Sequence, residues 1–417
     1  MPCVAARYVP PRIPFADLDG RQVLAAAAPA APVPSQRASE PAAAVTDVAR
    51  FPLLTLAMLG LLAAVFAAEL AFGVEPTKVL LEPSSRTLLA LGGLQYAAAV
   101  GSEEWYRMFL APLMHVGPVH LLLDGVALYL AGRVLEPMVG ARWFAALFVF
   151  GGLAGAFASL VVNAPNAVSV GTSGAIMGLF AAIWVLGYRF ADPARSRLRI
   201  TAIQMLIAAM LPFASASFAK IDYGAHLGGA IAGAAVATLL LALWPRSAED
   251  NAAGSAAKAA ARPRLAFIAT IIAALGVAGA VYGATQIPQD YKVQSYAALL
   301  FPPNQLPASD ADAKSAAEDL VFRHPRDPRG HFYRALALID AKNLAGAESE
   351  LRTALADGEL LKTMFKPAFS QRLETVLSAV LLDQRKTAEA RATAQPLCAQ
   401  TGSTFRDQVA KYGLCSY

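Results

Sequence analysis

Long apolar runs fill the middle of the chain, and their lengths are the first constraint. A hydrocarbon core about 30 Å thick takes roughly 20 apolar helical residues to cross. Seven runs approach that length with few charges: Phe51 to Gly73, Val119 to Val139, Trp143 to Val162, Thr172 to Tyr188, Ile200 to Phe213, Asp222 to Trp244 and Leu265 to Ile287. Each predicts a transmembrane helix. The fifth is short and can extend through Ala214 to Phe218. The fourth has only about seventeen residues before Arg189, too few to cross at the helical rise, so its outer end is expected to start below the membrane surface. Irregular backbone such as Asn163 to Gly171 is tolerated at that depth only where it is covered by protein or lines water. A wet recess above the start of span four follows.

The pattern changes on either side. Residues 1–50 carry Pro-rich and Ala-rich tracts such as AAAAPAAPVP, bury too little surface to fold and have no compact charged start of a signal peptide. They predict a disordered tail. From Gln289 onward, charged and apolar residues alternate at helical spacing in DAKSAAEDLVFRHP, HFYRALALIDAKNLAGAESELRTALA and FSQRLETVLSAVLLDQRKTAEARATA. These predict a soluble helical domain. The stretch from His331 to Ala356, with small Ala335 and Ala347 where two helices would touch, resembles one unit of a tetratricopeptide repeat. His324 and His331 read as surface histidines there. The expected organisation is a tail over 1–50, a six-helix membrane core over 51–245, a linker and seventh span over 246–287, and a soluble helical domain over 288–417. The fold class is all-α: a polytopic membrane helix bundle of about seven spans with a C-terminal soluble α-helical, tetratricopeptide-like domain.

Composition agrees, with 56% hydrophobic residues, 16% charged residues and a mean hydropathy of +0.47. The formal charge of +5 is therefore read through the preference of cytoplasmic loops for Lys and Arg, not as a nucleic-acid signal. Spans four and five enclose Arg189, Arg195, Arg197 and Arg199, and spans six and seven enclose Arg246, Lys258, Arg262 and Arg264. Those loops should be cytoplasmic. Asn163 to Gly171 has no charge, and Lys220 is the only basic residue between spans five and six, so those two loops should face outside. The N-terminus is then cytoplasmic, and residues after Ile287 lie outside. A disulfide between Cys398 and Cys415 is plausible on that side, with two free thiols as the alternative, while Cys3 suggests nothing.

Polar and ionisable side chains inside a membrane are costly and are functional candidates by default. His120 and Asp124 lie on span two, Ser173 on span four and His226 on span six, with His115 just outside span two. In the topology above, even-numbered spans all begin on the outer side, and each candidate lies near such a beginning. Three helices thus aim polar groups at one level. Gly174 and Gly178 on span four are expected opposite Gly224, Gly228 and Gly233 on span six, so that the backbones nearly touch. Such an approach allows a Ser to His hydrogen bond of about 2.6 to 3.2 Å between helices.

Four segments, EWYRMFLAPLMHVGPVHLLLD with Trp105 and Arg107, AGRVLEPMVG with Glu136, GTSGAIMG with Ser173, and GAHLGG with His226, resemble the rhomboid family of intramembrane serine proteases in order and spacing. The resemblance covers Phe51 to Trp244 and implies a Ser/His dyad with no third carboxylate. Ser173 would be the nucleophile and His226 the general base, then acid, since imidazole titrates near neutral pH. The Ser173 amide and the His120 side chain would bind the oxyanion, with Gly171, Gly174 and Asp124 around them. Trp105, Arg107, His115 and Glu136 would support the loop before span two and its anchorage. The implied substrates are single transmembrane helices that unwind near the outer leaflet. No cofactor, metal or nucleic acid is implied; the other partners are membrane lipid and a protein partner for the helical domain. The implied location is a bacterial plasma membrane.

One departure from the family pattern matters. Two histidines, His115 and His120, are followed by Asp124 where the family has asparagine. An ionised carboxylate repels an oxyanion and donates nothing to it, and loss of one such donor costs about 100 to 1,000-fold in rate. One alternative is thus a catalytically weak rhomboid-like protein that binds transmembrane helices without cutting. A metal site or transporter built from His115, His120, Asp124 and His226 is another, although the spacing is not that of an HExxH zincin.

Overall fold

The computed structural model describes residues 51–415 apart from 78, 191, 212–220, 244–262, 303–304 and 308. The expected tail over 1–50, the extension from Ala214 to Phe218, and Lys220, Arg246, Lys258 and Arg262 lie outside the described residues. Every described helix or strand is helical, apart from a lone antiparallel bridge between Leu94 and Ser169. The membrane-region helices are α1 Leu53–Ala71, α2 Ser85–Ala90, α3 Arg107–Leu110, α4 Pro118–Val139, α5 Ala141–Val162, α6 Ser173–Leu186, α7 Ala194–Met210, α8 Tyr223–Leu243 and α9 Pro263–Leu299. Among the described residues, α1, α4, α5, α8 and most of α9 are long and apolar enough to cross a membrane. Their outward faces show Leu122, Val161 and Ile231 to the surroundings, as a lipid-facing surface requires.

Helix α6 occupies the middle of the bundle, packed against α4, α5, α7 and α8. Its side chains from Ala175 to Ile183 are all buried, because an apolar stretch with no polar face can be enclosed on every side. Its 14 residues span only about 21 Å, well short of the hydrocarbon thickness. Ser173 is its first residue, so the serine starts inside the bundle.

Two helix limits differ from expectation. Span five was placed from Ile200, but α7 begins at Ala194 and takes Arg195, Arg197 and Arg199 into its first turns. Arginine is a good helix former and its stem can run along an apolar surface, so charge ends a hydropathy window without ending a helix. Span seven was placed to Ile287, but α9 continues unbroken to Leu299. Its end is held from outside: Tyr106 Oη donates to Asp290 at 2.7 Å and Arg107 Nη2 at 2.8 Å.

Glu136, near the end of α4, accepts the Leu54 amide at 2.9 Å, the Thr55 amide at 2.9 Å and the Thr55 hydroxyl at 2.7 Å. Pro52 provides no side-chain cap for α1, so a carboxylate from another helix meets the positive helix end.

Beyond α9 follow α10 Asp310–Ser315, α11 Ala317–Arg323, α12 Pro328–Asp340, α13 Leu344–Leu355, α14 Gly358–Met364, α15 Pro367–Asp383, α16 Thr387–Cys398 and α17 Thr404–Lys411. Helices α12 and α13 pair through Ala335, Ala347 and Leu351, the contact expected of the tetratricopeptide-like unit. A second pair, α15 with α16, joins through Leu377, Leu381, Ala390 and Ala394 with the same kind of turn: Lys342 and Arg385 take positive φ of 61° and 64°. Cys398 and Cys415 are disulfide-bonded. The surface reading of His331 is corrected. It is buried, with Nδ1 2.6 Å from Glu350 and Nε2 2.9 Å from the Pro325 carbonyl. Glu350 arrives from α13, a partner that local spacing does not reveal.

Candidate functional site

The start of α6 is where the sequence candidates meet. Gly171 has φ +128°, a conformation that L side chains rarely adopt, and a Cβ there would also come 2.7 Å from His120 Cε1. The glycine lets the backbone turn beside the His120 ring and enter α6 two residues later. The Gly171 amide donates to the Ala111 carbonyl at 3.0 Å, and the Thr172 hydroxyl to the Pro112 carbonyl at 2.8 Å. The entry is therefore fixed to the segment that precedes α4.

Asp124, on α4, accepts the Thr172 amide on Oδ2 at 3.0 Å. The same oxygen lies 3.4 Å from His115 Nε2 and 3.6 Å from His120 Nε2, and the two imidazoles meet edge to face with centroids 5.2 Å apart. Asp124 is thus an acceptor that joins the two histidines to the residue before Ser173. Among the described residues, no set of three His, Cys, Asp or Glu side chains is arranged to hold a metal ion.

His226 is buried in the first turns of α8, which press onto α6. A Cβ on Gly229 would lie 1.9 Å from the Gly174 carbonyl oxygen, and one on Gly233 would lie 2.0 Å from that of Gly178. Conversely, a Cβ on Gly174 would meet the Ala225 carbonyl at 3.1 Å. Only glycine permits backbones this close. The expected pairing of Gly224 and Gly228 with span four is corrected: both face α5, against Ala158 and against Ala154 and Ala158 respectively. Successive helical positions turn by about 100°, so Ala225, Gly229 and Gly233 share one face and Gly224 and Gly228 the next. Ser173 and His226 lie on adjacent first turns, but among the described residues no hydrogen bond joins them, and His226 Nδ1 is buried without a partner.

The supporting residues divide unevenly. Arg107 is 2% exposed and donates to Glu104, Asp290 and the Leu89 and Gly93 carbonyls at 2.6 to 3.1 Å. Trp105, expected beside it in the same role, is 46% exposed; Tyr106 supplies the aromatic contact instead, against Tyr282 of α9. Sequence reasoning also passed over Glu69, which is buried on α1 and accepts the His115 amide at 3.2 and 3.3 Å. An acidic residue inside a predicted span was itself the signal. Asp222 and Gly229 were missed too, and the signal for Asp222 was its place as an N-cap residue type before an apolar run.

A family model described as the rhomboid domain matches residues 102–243, which contain all of these contacts except those of Glu69, Leu89, Gly93, Tyr282 and Asp290. YdcA of Bacillus subtilis is 32% identical over 141 residues, a match that covers 33% of this chain and 68% of that protein. The chain belongs to the rhomboid family. This rhomboid is also similar to RHOMBOID-like protein 5 of Arabidopsis thaliana, 32% identical over 175 residues, and to Rhomboid protease GluP of Bacillus subtilis, 31% identical over 152 residues. The first match covers 42% of this chain and 56% of the plant protein, and the second 36% of this chain and 29% of GluP. The chain therefore spans little more than half the length of that plant relative, and the family-model match covers the membrane bundle around Ser173. This rhomboid is an integral membrane protein of an intramembrane protease-type family.

Proposed function

We propose that this rhomboid is an intramembrane serine endopeptidase that cuts transmembrane helices near the outer leaflet, with Ser173 as nucleophile and His226 as general base, then acid. The observation that carries the reading is the backbone contact of Gly174 with Ala225 and Gly229, which sets the serine and histidine turns side by side inside the bundle. Attack by Ser173 Oγ on the scissile carbonyl transfers its proton to His226, which returns it to the leaving amine. The Ser173 and Gly174 amides belong to the first turn of α6, where amides have no intrahelical acceptor and are free to donate to developing negative charge. His120, against the Gly171 backbone, adds a side-chain donor at that level. Purified Ser173→Ala and His226→Ala should be folded and inserted yet fail to cut a model transmembrane substrate. A Ser173→Ala variant that cuts at the wild-type rate would overturn the assignment.

A second reading, a rhomboid-like protein that binds transmembrane helices and cuts them weakly, is favoured by Asp124. Its carboxylate stands where the family pattern has an amide that can donate, and its oxygen is turned to Thr172 and the histidines. A serine-directed fluorophosphonate separates the two readings, because a binder without an activated serine is not labelled.

The same proposal places the protein in a bacterial plasma membrane with its N-terminus in the cytoplasm and the helical domain outside, where that domain meets a protein partner. Arg189, Arg195, Arg197 and Arg199 between α6 and the first turns of α7 support this orientation. Reporter fusions after Gln289 test it, and cytoplasmic reporter activity there would reverse it.

A further inference from the structure

The Asp222 carboxylate belongs neither to the Ser173 and His226 pair nor to the oxyanion region, yet three elements that build the site converge on it. Oδ1 accepts the Ala225 amide at 2.8 Å and closes the first turn of α8. Oδ2 accepts the Ser159 hydroxyl of α5 at 2.6 Å and also the Ser169 hydroxyl. Ser159 in turn accepts Asn163 Nδ2 at 2.9 Å. Asn163 opens the loop that delivers Gly171, Thr172 and Ser173, and Ser169 lies two residues before Gly171. The backbone of Ser169 is already held, exchanging hydrogen bonds with Leu94 at 2.8 and 3.1 Å, so its hydroxyl is presented in a fixed place. On the other side, the His226 amide donates to the Asp222 carbonyl at 3.0 Å.

The loop that carries the serine and the helix that carries the histidine are therefore fastened to one side chain. Its three partners are two hydroxyls and an amide, all donating, and an acceptor-only group with two oxygens satisfies them together. Asn163 and Ser169 have no other side-chain link to α8 among the described residues. We propose that Asp222 is a positioning residue for the Ser173 and His226 pair: it holds the 163–172 loop against the start of α8 and so fixes the separation of nucleophile and base. The proposal rests on the protease reading for its effect on rate, but the tether itself does not.

The test uses the full chain, purified, as wild type, Asp222→Ala, Ser169→Ala and the double variant. Three readouts are taken: kcat and KM on a model transmembrane substrate, the rate of fluorophosphonate labelling at Ser173, and amide hydrogen exchange over 163–172. A misplacement of about 1 Å costs about 100-fold in rate. Asp222→Ala should then lose about 100-fold in kcat and labelling, with KM unchanged because Asp222 lies outside the proposed catalytic groups. Ser169→Ala should lose less, and the double variant should be no slower than Asp222→Ala, since both remove one tether. Exchange over 163–172 should quicken in each variant. A folded Asp222→Ala that cuts as fast as wild type overturns the proposal, as does a double variant whose loss is the product of the single losses. Should Asp222→Ala fail to insert, Ser169→Ala decides alone, and wild-type kcat in that variant overturns the proposal. Should wild type neither cut nor label, the protease reading falls, and hydrogen exchange still decides the tether: unchanged exchange over 163–172 refutes it.

Discussion

Substituting Gly229 by alanine adds one methyl group where, of all the described glycines, a Cβ would meet its neighbour at the shortest distance. The new Cβ would lie 1.9 Å from the Gly174 carbonyl oxygen and 2.6 Å from its carbon, both backbone atoms that cannot swing away. Ordinary contact between non-bonded heavy atoms is about 3.5 Å, so α6 and α8 must separate by about 1.5 Å at this level. Overpacking of this kind costs about 1–3 kcal/mol, which a membrane bundle of ordinary stability survives. Its effect on rate should be larger. Gly229 is less than one turn from His226 and Gly174 follows Ser173, so most of the separation falls between the proposed base and nucleophile. A misplacement of about 1 Å corresponds to about 100-fold. Gly229→Ala should thus lose about 100-fold in kcat and in fluorophosphonate labelling while its melting temperature in detergent falls by a few degrees. Gly60→Ala is the control, since nothing lies within 4 Å of a Cβ there. It should match wild type in rate. A folded Gly229→Ala that keeps half the wild-type rate would show that the close approach of α6 and α8 does not set the geometry of catalysis.

Glu136→Ala leaves the Leu54 and Thr55 amides at the start of α1 without their acceptor, and should lower stability by about 2–3 kcal/mol in a denaturant titration. An unchanged midpoint would mean that water or lipid headgroups replace the cap. Asp290→Ala removes one partner of buried Arg107 but leaves Glu104 and two carbonyls, so its cost should be about 2 kcal/mol, less than for a fully orphaned charge. Loosening of the Tyr106 to α9 contact should appear as faster proteolysis between residues 97 and 113; equal proteolysis would refute the clamp. In the helical domain, hydrogen bonds from Lys386, then Arg352 and Gln384, hold the Glu348 carboxyl at a pKa of about 2. A depressed carboxylate pKa stabilises the fold above the unfolded value of about 4.3, and that contribution is lost as pH falls toward 2. The melting temperature of this domain should fall over that window, and Glu348→Gln should flatten the fall. A Glu348→Gln profile that matches wild type would assign the acid sensitivity elsewhere.

Much of this protein is legible along the chain because the bilayer imposes rules that act on length and polarity alone. Apolar runs of the right length mark α1, α4, α5, α8 and α9, and the cost of polar groups in hydrocarbon singles out His120, Asp124, Ser173 and His226 without any contact being known. The α12 and α13 pair is legible for a similar reason, since Ala335 and Ala347 are small at helical spacing. Trp105 and Tyr106 show the limit. Neighbouring aromatics read alike, and only the packing of α9 against the loop selects Tyr106.

The order of residues along the chain sets the class of solvent, the number of long apolar helices to within the two short ones, and which side chains are chemically unusual for their depth. Those properties depend on local composition. The tertiary structure alone decided which glycine face of α8 meets α6, that Asp124 turns its oxygen to Thr172, that α9 stays helical to Leu299, and that Asp222 gathers Ser159, Ser169 and Ala225. Each of these depends on the rotation of one helix about its axis or on a partner far away along the chain. Hydrophobic periodicity is nearly blind to rotation when a helix is apolar all round, as α6 and α8 are, so the choice of face falls to backbone contact between helices.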